Sequence, residues 1–289
     1  MPIDAKKLRT AIESINDLPT LPSVVTQIMG RLGNPSTNAA DIGRLIEQDQ
    51  ALSGKVLRLV NSAYYGFPKQ IKSVRHAVVI LGFNKIRTSI MTASVFETFK
   101  KETAGGLDIK RFWQHSLGAA LASKATAEAF GAVQLAEDAF IGGLLHDIGK
   151  IVMDQFQPAI FGPIVKFAAE RKLLITEVEA KVMSGFNHAA VGSWLIEKWR
   201  LPNEVVRMVA GHHAPHRYSE ERELVAFVHI GDILARALGV GSGGDNCMPA
   251  FDPAVTASFR LDRDFLDRCV ERVILEIGRA GEFFSLLSS

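Results

Sequence analysis

Apolar residues recur at intervals of three and four along most of this chain, and strict alternation is rare. That is the period of helices, not of strands. In "DIGRLIEQDQALSGKVLRLVNSAYYG" the first half sets Ile42, Leu45 and Ile46 on one face; the second sets Leu52, Val56, Leu59 and Val60 on another. The break at Asp49 to Ala51 predicts a corner between two helices. Thr20 and Pro22 open a helix over "SVVTQIMGRLG" that Gly33-Asn34-Pro35 closes. Ser73 is placed to cap "VRHAVVILG" and Gly82 to end it. Near the end, "DRDFLDRCVERVILEIGRAGEFF" carries Phe265, Leu266, Val270, Val273, Ile274 and Ile277 at helical spacing. No strand is predicted, and the expected class is all-α.

Two soft segments interrupt the pattern. "KKETAGGLDIKR" (Lys100 to Arg111) places a boundary near residue 104, and "GVGSGGDNCMPAFDP" (Gly239 to Pro253) is the strongest loop signal. The expected organisation is an N-terminal helical part over 1–103, a helical core over 104–238, and a loop with an amphipathic helix over 239–289. With 47% hydrophobic residues, the 289-residue chain has ample material for a core. A net charge of +2 leaves no electrostatic footprint for nucleic acid. Lys69, Lys72, Arg75, Lys85 and Arg87 read as a solvated face. No apolar run is long enough for a bilayer. With only Cys247 and Cys269, the expected setting is reducing and cytoplasmic.

Histidine placement changes the picture. Of eight histidines, His115, His146, His188, His212, His213, His216 and His229 fall in the middle of the chain; His76 lies apart and reads as a surface or packing residue. In "GGLLHDIGKIV", His146 and Asp147 stand side by side in an apolar segment. Read as one helix, it places Asp147 about 100° around from His146, with Gly142, Gly143, Gly149 and Lys150 on the histidine face. That face leaves room for another helix or for an ion. A buried His–Asp hydrogen bond and a metal site both fit the pair. His115, His188, the His212-His213 doublet and Asp232 lie on further helical segments. Each alone reads as a satisfied polar residue. Together they form a nitrogen-and-oxygen donor set suited to Fe, Mn, Zn, Ni or Co, with no cysteine to favour a thiolate site.

Other residues have plainer readings. Trp113, Trp194 and Trp199 are expected to pack inside, and Tyr64-Tyr65 to cap a helix end. Asn61 and Ser62 are expected to bond the local backbone. His229 is expected to support Asp232, and His216 to line the mouth of the site.

"HDIGK" within an all-α chain resembles the HD superfamily of metal-dependent phosphohydrolases. "LPTLP", "IEQDQALSGKVLRLVNSAYYG" and "IKSVRHAVVILG" resemble the HDOD family, a relative of HD domains, from about residue 15 to residue 235. The resemblance implies an HD-like, phosphodiesterase-like helical core behind an N-terminal HDOD subdomain. It also implies a signalling or regulatory module that binds partner proteins and no membrane. Many HDOD proteins have lost the metal-binding residues, whereas this chain keeps them. The ligand order is similar to that of the HD-GYP branch, which hydrolyses cyclic di-GMP. That similarity assigns His115, His146, Asp147 and Asp232 to one metal, with Asp147 bridging to a second held by His188, His212 and His213. Lys150 is expected to face a phosphate. The Gly-Tyr-Pro triplet of that branch is replaced here by "HHAPHRYSEERE", and Arg111 stands where three-metal relatives carry a carboxylate. The expectation is two divalent transition-metal ions, Fe or Mn before Zn, Ni or Co, in a regulatory protein. The alternative is an active metal-dependent phosphohydrolase or phosphodiesterase acting on a nucleotide or cyclic dinucleotide, with Asp147 and Lys150 as its working groups and a nucleotide or phosphodiester as its ligand.

Overall fold

Side-chain caps decide where this chain turns. The computed structural model describes residues 10, 18–32, 37–99 and 104–286. Among them every regular element is a helix, as the periodicity predicts. The chain divides into two compact units. One contains residues 101–198 and 202–273; the other contains residues 19–100, 199–201 and 274–289. The division falls inside the last long helix.

The N-terminal unit begins with α1 (Ser23–Leu32), α2 (Ala39–Glu47), α3 (Gln50–Val60) and α4 (Val74–Thr98). The expected corner is the Asp49 cap: its carboxylate accepts a hydrogen bond from the Leu52 N–H at 2.9 Å. Ser73 caps α4 by accepting from the His76 N–H, and Gly82 breaks that helix with φ +78°. Positive φ is cheap only for glycine, so the predicted stop becomes a kink, and helix resumes beyond it. Asn61 bonds the Leu57 carbonyl and also reaches both backbone groups of Ile71, pinning the turn after α3. Val25, Ile28, Ile42, Ile46, Val56 and Ile90 form the core, and the Trp199 indole N–H donates to the Pro19 carbonyl at 2.8 Å. His76, Lys69, Lys72, Arg75 and Lys85 are exposed. The Gly33-Asn34-Pro35 stop lies outside the described residues.

The second unit begins at α5 (Ile109–Phe130), capped by Asp108 and stopped by left-handed Gly131. Then follow α6 (Ala136–Leu145), α7 (Ile148–Phe156), α8 (Pro158–Arg171), α9 (Ile175–Val182), α10 (His188–Lys198), α11 (Asn203–Gly211) and α12 (Arg222–Ala237). Short α13 (Pro253–Phe259) precedes α14 (Arg263–Arg279), within which the chain passes to the other unit, where α15 (Gly281–Leu286) belongs. Small residues let these backbones touch. A Cβ on Gly143 would sit 2.6 Å from the Ala119 carbonyl oxygen, and one on Gly149 only 1.9 Å from that of His188. The bare face around His146 is therefore filled by neighbouring helices: α6 lies against α5, and α7 against α10. The final amphipathic helix buries Phe265, Cys269 and Val273, one residue per turn, while Ile274 is 56% exposed and lies off the stripe. No helix among the described residues is long and apolar enough to cross a membrane.

Candidate metal centre

The donors cluster at helix ends. His115 lies in the second turn of α5, and Asp232 lies within α12. His146 ends α6, and Asp147 occupies the link to α7 with φ −96° and ψ 6°. The single helix expected through this pair is thus two helices with a break at the pair itself, and that break turns Asp147 inward. His188 begins α10, and His212 and His213 follow the end of α11, as the sequence predicts for the doublet. All seven lie in the second unit. His115, His146, Asp147, His188, His212 and Asp232 are buried, and His213 is half-buried.

Asp147 divides the cluster between its two oxygens. Its Oδ2 lies 3.6 Å from His115 Nε2 and 3.3 Å from His146 Nε2. Asp232 Oδ1 stands beside the same two rings, at 3.1 and 3.6 Å. The other oxygen, Oδ1, lies 3.0 Å from His188 Nε2 and 3.6 Å from His212 Nε2. His213 Nε2 is 2.8 Å from His188 Nε2. Two groups of donor atoms close enough to share an ion result, one of Asp147, His188, His212 and His213, the other of His115, His146 and Asp147.

Hydrogen bonding at the far side of each ring fixes what faces inward. His146 Nδ1 lies 2.7 Å from the Gly143 carbonyl, and His212 Nδ1 lies 2.8 Å from that of Val209. A carbonyl only accepts, so both Nδ1 atoms donate, and each neutral ring turns a bare Nε2 lone pair toward the carboxylates. His115 Nε2, His146 Nε2, His212 Nε2 and Asp147 Oδ1 are buried without a hydrogen bond. Lone pairs meeting lone pairs in a dry interior are unfavourable unless a cation lies between them. The donor set therefore fits a divalent metal. Protonation expresses the same demand. Burial opposes charge on His146, but Asp147 and Asp232 outweigh it and bring its pKa up to about 9. Burial pushes His212 down to about 4, with the His146 and His188 charges adding to the effect.

Surrounding groups balance the charge. Lys150, buried in the first turn of α7, donates to Asp147 Oδ2 at 2.7 Å. Arg236 Nε donates to Asp232 Oδ1 at 2.8 Å, and its NH1 donates to Asp245 Oδ1 at 2.8 Å. Glu179 Oε2 holds His188 Nδ1 at 2.7 Å. Glu179, Arg236 and Asp245 were not singled out from the sequence. Arg236 carried a signal, standing one turn from Asp232 on the same helix. His229 does not support Asp232: its Nδ1 donates to the His212 carbonyl at 2.7 Å, and its Nε2 accepts from the Asp252 N–H. His216 pairs with Asp252 at 2.6 Å. The glycine-rich loop also takes part. A Cβ on Gly243 would stand 3.0 Å from Asp147 Oδ2 and 3.2 Å from His115, and Ser242 N–H donates to the Arg111 carbonyl at 2.9 Å.

An all-helical unit closed around grouped histidines and a shared aspartate defines a helical protein with a candidate metal centre. The chain belongs to the HDOD family, whose domain model matches residues 18–215. It is 30% identical to an uncharacterized protein of Treponema pallidum over 237 residues, which is 80% of this chain and 45% of that protein. Over 90 residues, 30% of this chain and 21% of the other, it is 32% identical to the cyclic di-GMP phosphodiesterase CdgJ of Vibrio cholerae. The chain spans less than half the length of these curated relatives. Among solved structures it resembles an HDOD domain protein of unknown function from Geobacter sulfurreducens, with a TM-score of 0.76 and 25% identity, over 98% of this chain and 95% of that one.

Proposed function

We propose that this chain is an HDOD regulatory module built around a two-ion His/Asp centre. His115, His146 and Asp232 would hold one ion, His188, His212 and His213 the other, and Asp147 both. The observation carrying this reading is the division of Asp147, each oxygen facing its own pair of imidazoles. Fe and Mn come first among the candidate ions that imidazole and carboxylate donors suit. Such ions would tie together the helix ends that carry their ligands. Lys150 and Arg236 hold the two carboxylates in place and offset their charge. The module acts on partner proteins through surfaces whose shape depends on that closed centre.

One observation favours a second reading, a phosphohydrolase. His213 is only half-buried and borders a cavity of about 310 Å³. Bound metal would supply an activated water and a clamp for phosphate oxygens. The chain's own part would be to hold Asp147 between both positions and to keep His188 oriented through Glu179. Elemental analysis of the purified protein tests the main reading: two Fe or Mn per chain are expected, falling below one in an Asp147→Ala variant. One ion or none in the native protein would sink it. Metal-dependent cleavage of a generic phosphodiester, lost in Asp147→Ala, would favour the second reading over the first.

A further inference from the structure

The net charge of +2 conceals a division. Residues 19–100 carry ten lysines and arginines against four aspartates and glutamates, and from residue 50 to residue 96 there is no carboxylate at all. Three of the four carboxylates are occupied: Asp41 pairs with Arg44, Glu97 with Lys55, and Asp49 caps α3. Glu47, exposed in α2, has no partner among the described residues. Arg58, Lys69, Lys72, Arg75 and Lys85 are exposed and enter no ion pair there either. The first two turns of α4 add an apolar element to this cationic stretch. Val74, Ala77 and Val78 are buried, so Arg75, His76, Val79 and Ile80 share the outer face. Val79 is 66% exposed and Ile80 46%. Both are β-branched and only middling helix formers. Neither helix propensity nor burial within the chain accounts for two of them at adjacent outward positions. Lys72 precedes the face, and Lys85 follows it beyond the Gly82 kink. The α2 helix flanks it, since an added Cβ on Gly43 would stand 3.1 Å from the Arg75 Cα.

We propose that this face of α4 is the docking site for an acidic amphipathic helix of a partner protein. Aliphatic side chains one turn apart on the partner meet Val79 and Ile80, and carboxylates beside them meet Lys72, Arg75 and Lys85. Charge complementarity sets the partner's sign, because the cations here have no carboxylate of their own to satisfy them. Two aliphatic side chains at the middle of the face argue against a nucleic-acid backbone, whose protein interfaces are polar. A face of two turns, with no aromatic or leucine among its outward residues, offers a bilayer little to bury. The inference goes beyond the two-ion reading and stands whether or not the centre binds metal. It adds a surface on the unit whose described residues include no candidate ligand.

Fluorescence anisotropy of the full chain with a labelled designed peptide, leucines at helical spacing and glutamates flanking them, tests this. The peptide is expected to bind, and more weakly as salt is raised. Val79→Asp combined with Ile80→Asp removes both anchors and should weaken binding at least about tenfold. Lys72→Glu combined with Arg75→Glu should do the same, and should transfer binding to a peptide carrying lysine in place of each glutamate. Phe167→Asp, at an exposed apolar position of α8 in the other unit, should leave binding as it was. All these positions are exposed, so native helix content by circular dichroism is expected in every variant. No binding of the glutamate peptide, binding indifferent to either double variant, or an equal loss in Phe167→Asp overturns the docking site. So does tighter binding of a DNA duplex or of phosphatidylglycerol vesicles that the same double variants abolish, which would give the face to a nucleic acid or a membrane.

Discussion

Single residues decide whether the rings of this centre face the right way. His188 presents Nε2 to Asp147 because Glu179 holds Nδ1 on the opposite edge, both groups being fully buried. Removing such a supporting partner typically lowers metal affinity ten- to a hundredfold. Glu179→Gln keeps the volume and removes the charge. It is expected to weaken the proposed ion at His188 by about 10–100-fold, read by competition with a chromophoric chelator, while the proposed ion beside His115 and His146 keeps its affinity. Equal weakening of both would show that Glu179 acts on the fold and not on His188. The ring nitrogens and Asp147 were legible in the sequence because imidazoles grouped in an apolar stretch have few ordinary uses. Glu179 was not legible. It lies in α9, outside helical register with His188, and returns to it only through a turn with positive φ at Ser184 and Gly185. His229 misled because a three-residue spacing from Asp232 looks like a pair, whereas its ring is drawn to the His212 carbonyl.

At the scale of helices, spacing predicted the elements and glycine set how closely they meet. The Asp49 corner, the Ser73 cap and the helix-ending His212-His213 doublet follow from local chemistry, which a sequence displays. The break between α6 and α7 does not, since "LLHDIGK" reads as continuous helix by period alone. What the sequence also hides is contact distance. Gly149 looks like an ordinary weak point of a helix, yet its Cα lies against the first turn of α10. Gly149→Ala would force α7 from α10, separating Lys150 and Asp147 from His188. Overpacking of this kind costs about 1–3 kcal/mol and more where the backbone cannot yield, so a loss near or above about 3 kcal/mol is expected by urea unfolding. Gly54 makes the opposite case. It lies exposed within α3, with nothing within 4 Å of an added Cβ. Gly54→Ala should stabilise by about 0.5–1 kcal/mol, and a loss of stability would show that space at the Cβ is not what governs these positions.

Across the whole molecule, the centre belongs to one unit and not to the other. Its candidate ligands reside on α5, α6, α10, α11 and α12 and on the link into α7, all between residues 101 and 273. The unit with α1 to α4 has its own buried aliphatic core and, among the described residues, contributes no donor. Metal that binds only the folded state stabilises it by mass action, by about 4 kcal/mol when free metal stands ~1,000-fold above Kd. That stabilisation should be local. In hydrogen exchange, a chelator is expected to lower protection in α5–α7 and α10–α12, where four orphaned polar atoms then face one another in a dry interior. Protection in α1–α3 should stay as it was. Uniform loss over both units would mean that the centre stabilises the chain as one cooperative body. No loss anywhere would mean that protons on His146 and its neighbours replace the ions at no cost, and the metal reading would fall with it.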